Sequence, residues 1–308
     1  MLTIIALGYY HTGVKTVGDT IAGDGAASSA GGSGFASDPS LRVSVPIRSG
    51  ERGVVELRAL AGIAVLANVA AVGSGIPVVF LHGLVGLNDH WEGVVEHVRG
   101  SAKCILLELP LLDLEYEDCS IDGATELTEK FLAKVVGERA VLVGNSFGGH
   151  VALKLAIGRP DLVRGLVLAG ASGLIEKSMV GDVQIRPSRE WLERKIGELF
   201  YDKSKMNRAD IERAFATLNH RQQARAMVKL SKSARRNHLG EYIGNIKCPT
   251  LILWGRQDIV TPPEACDLFA KGIPNNRVVW LDDCGHAPMI ERPREFAAAL
   301  TDYLKGLA

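Results

Sequence analysis

The chain has no net charge: 35 lysines and arginines balance 35 aspartates and glutamates over 308 residues. Such a balance gives no global electrostatic argument for nucleic acid or an anionic membrane surface as partner. Cysteine is sparse. Cys104, Cys119, Cys248, Cys266 and Cys284 are scattered, odd in number and without a C-x-x-C pair, which argues against a disulfide framework and fits reduced thiols in a cytoplasmic protein. The histidines lack paired ligand spacing, so no metal site is expected. No glycine-rich loop ends in Lys-Ser or Lys-Thr, so no phosphate cradle is expected either, and no cofactor is implied. No apolar run approaches the ~20 residues of a membrane span. The apolar opening, Met1 to Tyr10, is short and has no Lys or Arg before it, a poor fit to a secretory leader.

What is present is an ordinary globular composition, 47% hydrophobic and 23% charged, able to bury a substantial core. The length fits one large domain or a domain with an insertion. Residues 1–50 stand apart. Ala22 to Ser40 is mostly Gly, Ala and Ser, too poor in apolar surface to offset its ordering entropy, so a flexible low-complexity tail is expected. From Arg52 the pattern is regular. Val54–Leu57 and Ile63–Leu66 read as an antiparallel opening. Pro77–Leu81, Cys104–Leu109, Ala140–Val143, Leu162–Ala169, Pro249–Trp254 and Arg277–Leu281 read as further strands, several of them continuous apolar runs buried on both faces. Helical patterns over Asp89–Val98, Ala124–Val136, Val151–Ile157, Pro263–Lys271 and Pro293–Leu307 alternate with them. This alternation predicts a doubly wound, mostly parallel α/β sheet, with its ligand site at the carboxyl ends of the strands.

The rhythm breaks from about Gly173 to Lys247, where the chain is polar, mostly helical and rich in Lys and Arg. Two readings fit: solvated helix faces, or a basic cap over a pocket for a carboxylated substrate. The expected division is a tail over 1–50, a core over 51–172, a helical cap over 173–247 and the rest of the core over 248–308.

One stretch organises the chemistry. Gly144-Asn-Ser-Phe-Gly148 lies between a strand and a helix, the setting of the G-x-S-x-G nucleophile elbow. Residues without bulk let the chain turn sharply and leave Ser146 at the tip, beside the free N–H groups of a helix N-terminus. Asp258 and His286 follow two later strands. The order Ser146, Asp258, His286 supplies a nucleophile, a carboxylate to fix the imidazole tautomer, and a base that works near neutral pH. Asp282 and Asp283 lie too close to His286 in sequence to sit easily on its far side, which leaves Asp258 as the acid. A developing oxyanion needs preorganised donors, and the elbow rule assigns them to the backbone N–H groups of Phe147 and Leu84. His82 reads as structural, tying down the loop that carries Leu84.

These residues, from about Val54 to Leu307, resemble the α/β-hydrolase superfamily. His82-Gly83, Gly144-Asn-Ser-Phe-Gly-Gly149, Trp254-Gly-Arg-Gln-Asp258 and Cys284-Gly-His286 fall in the superfamily's order, and a cap between the sixth and seventh core strands is its arrangement. A serine nucleophile argues against the dehalogenase and epoxide hydrolase branches. Asn145 and the phrase Leu199-Phe-Tyr-Asp-Lys-Ser-Lys-Met206 look similar to the meta-cleavage product hydrolases. That resemblance implies C–C bond hydrolysis of a carboxylated ring-fission product, with Asn145 and a cap arginine, Arg208 or Arg213, touching substrate. The sequence departs from that branch at Leu84-Val85, which interrupts the glycine run after His-Gly, and at Ala287, where tryptophan commonly stands. The expected function is therefore serine hydrolysis of a small molecule, at a C–C bond or an ester. The alternatives are a hydrolase-fold lyase of the quinone-biosynthesis type and a ligand receptor with vestigial catalysis. Oligomeric state is left open.

Overall fold

The computed structural model describes residues 42–43, 51–175 and 187–307. The expected tail over 1–50 lies outside them except for Arg42–Val43. Those two residues form a short strand, β1, paired antiparallel with the next strand. In chain order the following strands are β2 (Glu51–Arg58), β3 (Ala64–Val72), β4 (Pro77–Leu81), β5 (Lys103–Glu108), β6 (Ala140–Asn145), β7 (Val163–Ala169), β8 (Thr250–Gly255) and β9 (Asn276–Leu281). The helices are α1 (Glu92–Val98), α2 (Ile121–Phe131), α3 (Phe147–Gly158), α4 (Arg189–Gly197), α5 (Arg208–Leu218), α6 (Arg221–Arg236), α7 (Pro263–Gly272), α8 (Pro288–Glu291) and α9 (Pro293–Lys305).

The nine strands of the described residues join one sheet in the order β1-β2-β3-β5-β4-β6-β7-β8-β9. The pairs from β1 through β3 to β5 are antiparallel, and every pair from β5 to β9 is parallel. The burial pattern follows from that difference. β4, β6 and β8 are buried at every position, as strands covered on both faces must be. The antiparallel β3 alternates between buried and exposed over most of its length. In β4, Val79 and Leu81 enter one core cluster while Val78 and Phe80 enter the other. This is the two-residue period of a strand feeding both faces. Helix α3 packs into the first cluster through Phe147, Val151 and Leu155, and α9 into the second through Phe296, Leu300 and Leu304. The expected doubly wound α/β-hydrolase sheet is therefore the observed one.

Several boundaries differ from the sequence reading. The first two expected strands lengthen into a paired ribbon of eight and nine residues. Helix α2 starts at Ile121 because the Ser120 side chain accepts a hydrogen bond from the Gly123 N–H, a standard cap. Helices α4 to α6 fall between β7 and β8. With β1 counted, the insertion follows the seventh strand rather than the sixth. Trp191, Leu192, Ile211 and Leu218 give this insertion its own small apolar cluster. In α6 only Ala226, Leu230 and Ala234 are buried, a single row at four-residue spacing along one helix face.

Candidate active site

Ser146 sits between the end of β6 and the start of α3, with φ 52° and ψ −116°. A non-glycine residue at positive φ is strained by roughly 1–3 kcal/mol and persists only where its surroundings fix it. Here they do. The Ser146 N–H donates to the Ala169 carbonyl (3.3 Å), and its own carbonyl accepts from the N–H groups of His150 (3.1 Å) and Ser172 (3.1 Å). The flanking glycines are required by close approach. A Cβ on Gly144 would stand 2.5 Å from the Gly148 carbonyl oxygen, and one on Gly148 would stand 2.6 Å from that of His82. Within an otherwise buried run, Ser146 is the partly exposed residue. Its hydroxyl has no hydrogen-bond partner among the described residues.

Asp258 and His286 form a buried pair. Nδ1 of His286 lies 2.9 Å from Asp258 Oδ2. The other carboxylate oxygen accepts from the N–H groups of Val260 (2.8 Å) and Thr261 (2.9 Å). The Thr261 hydroxyl, which the sequence reading did not single out, stands 2.8 Å from Asp258 Oδ2 and 3.0 Å from the Gly170 carbonyl. An acceptor-only carboxylate facing Nδ1 fixes the proton there and leaves Nε2 as the basic nitrogen. Asp282 and Asp283 are exposed and face Arg256 (2.7 Å) and Arg292 (3.9 Å) respectively, not the imidazole.

Two residues bring these loops together. Asn145, the last residue of β6, donates both amide hydrogens, to the carbonyls of Ala169 (2.9 Å) and His286 (3.0 Å). Gly170 follows Ala169 at φ 53°, where a Cβ would lie 3.0 Å from both Asp258 Oδ2 and His286 Nδ1. The loop after β4 passes on the other side. The Cβ position of Gly83 is 3.5 Å from Ser146 Cβ, and Gly86 N–H closes a turn on the Gly83 carbonyl at 3.0 Å. Leu84 is the second residue of that turn. Phe147 opens α3, so its N–H is among the four that a helix leaves unpaired. The His82 ring is buried, with Nδ1 2.7 Å from the Gly83 carbonyl oxygen, and burial lowers its pKa from the ordinary histidine value. This fits a structural tie and not a second base.

The three residues expected to touch substrate have the following surroundings. Asn145 is buried with both amide hydrogens engaged by backbone carbonyls, so it has no donor left for a ligand. Arg213 is half-buried and pairs with Asp89 at 2.9 Å and with Asp210, so its charge is already matched by two carboxylates. Arg208 is exposed at the first position of α5, and no contact links it to Ser146 among the described residues. All five cysteines are buried and unpaired. Burial pushes the Cys104 thiol up to about 12 and raises Cys284, two residues from His286, as well, which suits neither to nucleophilic work. Among the described residues no group of three or more His, Cys, Asp or Glu could hold a metal ion, and no helix is long and apolar enough to cross a membrane.

A strand-turn-helix serine, a loop-borne Asp–His pair and a doubly wound sheet together define a hydrolase of the α/β type. The chain belongs to the alpha/beta hydrolase family, whose model matches residues 78–299, and it is an α/β-fold serine hydrolase. It is 27% identical over 253 residues to a pimeloyl-[acyl-carrier protein] methyl ester esterase of Nitrosomonas europaea, covering 75% of this chain and 96% of that one. It is 26% identical over 254 residues to a 2-hydroxy-6-oxononadienedioate/2-hydroxy-6-oxononatrienedioate hydrolase of Cupriavidus pinatubonensis, covering 74% and 86%. Among solved structures, a serine hydrolase involved in carbazole degradation, the CarC enzyme, superposes with a TM-score of 0.67 at 26% identity, covering 82% of this chain and 99% of that one.

Proposed function

We propose that this enzyme hydrolyses carboxylic esters of small molecules, with Ser146 as nucleophile, His286 as general base and then acid, and Asp258 as the carboxylate that orients the imidazole. The observation that carries this reading is the buried Asp258–His286 pair, whose histidine carbonyl accepts a hydrogen bond from Asn145, the residue before Ser146. Ser146 Oγ attacks the ester carbonyl carbon while its proton passes to His286 Nε2. The N–H groups of Phe147 and Leu84 hold the oxyanion, each worth about 3 kcal/mol in the transition state. Collapse expels the alcohol, which takes the proton from His286. A water activated by the same nitrogen then releases the acid and restores the serine. The Ser146–His286 hydrogen bond closes when substrate binds, since such bonds are often long or unaligned in the empty enzyme. Helices α4 to α6 form a cap over this edge of the sheet.

The relatives' names divide between ester and ring-fission hydrolase. The pairing of Arg213 with Asp89 and Asp210 removes one candidate cation for a carboxylated ring-fission acid, and the likeness to a methyl ester esterase supports the ester. Purified protein is assayed with p-nitrophenyl esters of graded chain length and with a ring-fission dienol acid, and labelled with a fluorophosphonate probe. Ester turnover and probe labelling that both vanish in Ser146→Ala support the reading. Dienol acid turnover exceeding that of every ester would replace it with C–C hydrolysis, and a wild type that neither labels nor turns over would end it.

A further inference from the structure

Glu291 is the last residue of α8, five positions beyond His286, and is only 3% exposed. It belongs to no ion pair among the described residues. A buried carboxylate without a cation is costly to keep, and burial raises its pKa above the ordinary carboxylate range. Its hydrogen bonds show what it holds. Oε1 accepts from the Gly285 N–H at 2.8 Å, in the loop that carries His286. Oε2 accepts from the N–H groups of Tyr201 (2.9 Å) and Asp202 (3.0 Å), in the segment that follows α4. The same two stretches touch again where the His286 N–H donates to the Leu199 carbonyl at 2.8 Å. They leave no spare room: a Cβ on Gly285 would lie 2.8 Å from the Leu199 oxygen and 2.9 Å from the Tyr201 nitrogen. The backbone that leads into the imidazole is thus fixed to the inserted segment.

We propose that Glu291 is a positioning residue for His286: its carboxylate locks the histidine loop and the Leu199–Asp202 segment in one register, so that the imidazole and the insertion keep a fixed geometry. The inference rests on His286 being the base. Only a carboxylate fits the seam. One oxygen faces each stretch, and every group opposite is a donor: three backbone N–H groups and, at 4.0 Å from Oε1, the Cys284 thiol. A glutamine satisfies one stretch with its carbonyl and turns its NH₂ against an N–H of the other.

The test uses Glu291→Gln and Gly285→Ala, which open the seam from opposite sides, with p-nitrophenyl butyrate and the fluorophosphonate probe. The active enzyme is counted by titration and the folded fraction by circular dichroism. A mispositioned base slows chemistry while leaving substrate binding alone. In both variants kcat per active site is expected to fall about 10- to 100-fold, KM to stay within about twofold, and the labelling rate to fall with kcat. In the wild type, hydrogen exchange at Gly285, Tyr201 and Asp202 is expected to be protected as one unit. That measurement stands even if a variant fails to fold. The proposal is overturned if kcat per active site stays within about twofold, if KM carries the loss, or if the three amides exchange independently. A wild type that turns over ester yet keeps full activity in His286→Ala would instead overturn the base assignment, and this inference with it.

Discussion

Asn145→Ala separates two roles that the sequence alone could not distinguish, contact with substrate and support of the histidine. In the structure the amide bridges the carbonyls of Ala169 and His286. Truncation leaves the His286 carbonyl, within a buried loop, without that donor, at a cost of about 2–3 kcal/mol for an orphaned buried acceptor. The Ala169 carbonyl keeps the Ser146 N–H at 3.3 Å, so its loss is nearer 1 kcal/mol. The sum, about 3–4 kcal/mol, is a large part of the roughly 5–15 kcal/mol that holds a typical domain together. At roughly 2–4 °C per kcal/mol for a chain of this size, the melting temperature should drop by about 10 °C. Asn145→Asp keeps the shape but sets an acceptor against two carbonyl oxygens, and should be worse than alanine at pH 7. Thermal melts followed by circular dichroism give the stability, and ester kinetics on the surviving folded protein give the rest. The expectation is a fall in kcat with little change in KM. If the melt moves by less than about 1 °C while KM rises tenfold, the amide reaches substrate and the tie is not what Asn145 is for.

Thr261→Val removes the hydroxyl beside Asp258 Oδ2 and the Gly170 carbonyl at nearly constant volume; kcat should fall several-fold and stability by about 1–2 kcal/mol, with Thr261→Ser restoring both. Arg213→Gln should change KM for esters by less than about twofold, because the guanidinium serves Asp89 and Asp210; a tenfold rise in KM for an anionic ester alone would place it in the pocket. Burial holds His150 down to about 4 from an ordinary 6.5, so between those values the unfolded chain binds a proton that the native state refuses. Stability should therefore be greatest above about pH 6.5 and fall by up to about 3 kcal/mol as the pH drops toward 4. Urea midpoints at pH 7 and pH 5 measure this, and a His150→Leu chain that folds should show a shallower slope. Gly148→Ala should lose most of its soluble yield, because the added methyl meets the backbone carbonyls of Leu81 and His82 at the end of β4, which the sheet holds in place.

The elements that the sequence made legible share one property: their evidence is local. Ser146, Asp258 and His286 each follow a short apolar run that reads as a strand; the first two strands are buried at every position, and the last, β9 at the edge of the sheet, only in part. The edge at which strands release ligand-binding loops is the reason for expecting all three together, and of the three the structure pairs Asp258 with His286. The glycines at 144 and 148 were legible for the same reason, since a tight turn leaves its mark within five residues. The start of α2 was legible too, although the expected start at Ala124 passed over it: Ser120 followed by Asp122 is a cap signal. What stayed hidden depends on partners far away in sequence. The carbonyls that Asn145 serves lie 24 and 141 residues from it, so adjacency to the nucleophile read as substrate contact. Arg213 reaches Asp89 across 124 residues, and a run of basic residues gives no hint of which charges are already matched. β1 was hidden because two residues at the end of a Gly- and Ser-rich stretch have no pattern of their own, and their strand exists only because the edge of β2 offers a partner.

The residues whose structural partners the sequence reading did not anticipate have a common logic. Asn145, Thr261 and Glu291 have no role in the proposed proton transfers, yet each bonds to His286, to its carboxylate partner or to the residue before it. Asn145 holds the His286 carbonyl, Thr261 the Asp258 carboxylate, and Glu291 the Gly285 amide. The loop that carries the imidazole is held by hydrogen bonds, each worth only about 1 kcal/mol net. One such bond cannot hold a side chain to the tolerance of about 0.5 Å that a proton transfer requires. Several converging from different strands can, because moving the loop must break them together. The same arithmetic explains how the strained backbone at Ser146 persists. Its roughly 1–3 kcal/mol of strain is opposed by separate bonds from Ala169, His150 and Ser172, so no single relaxation of the turn relieves the strain without losing more than it gains.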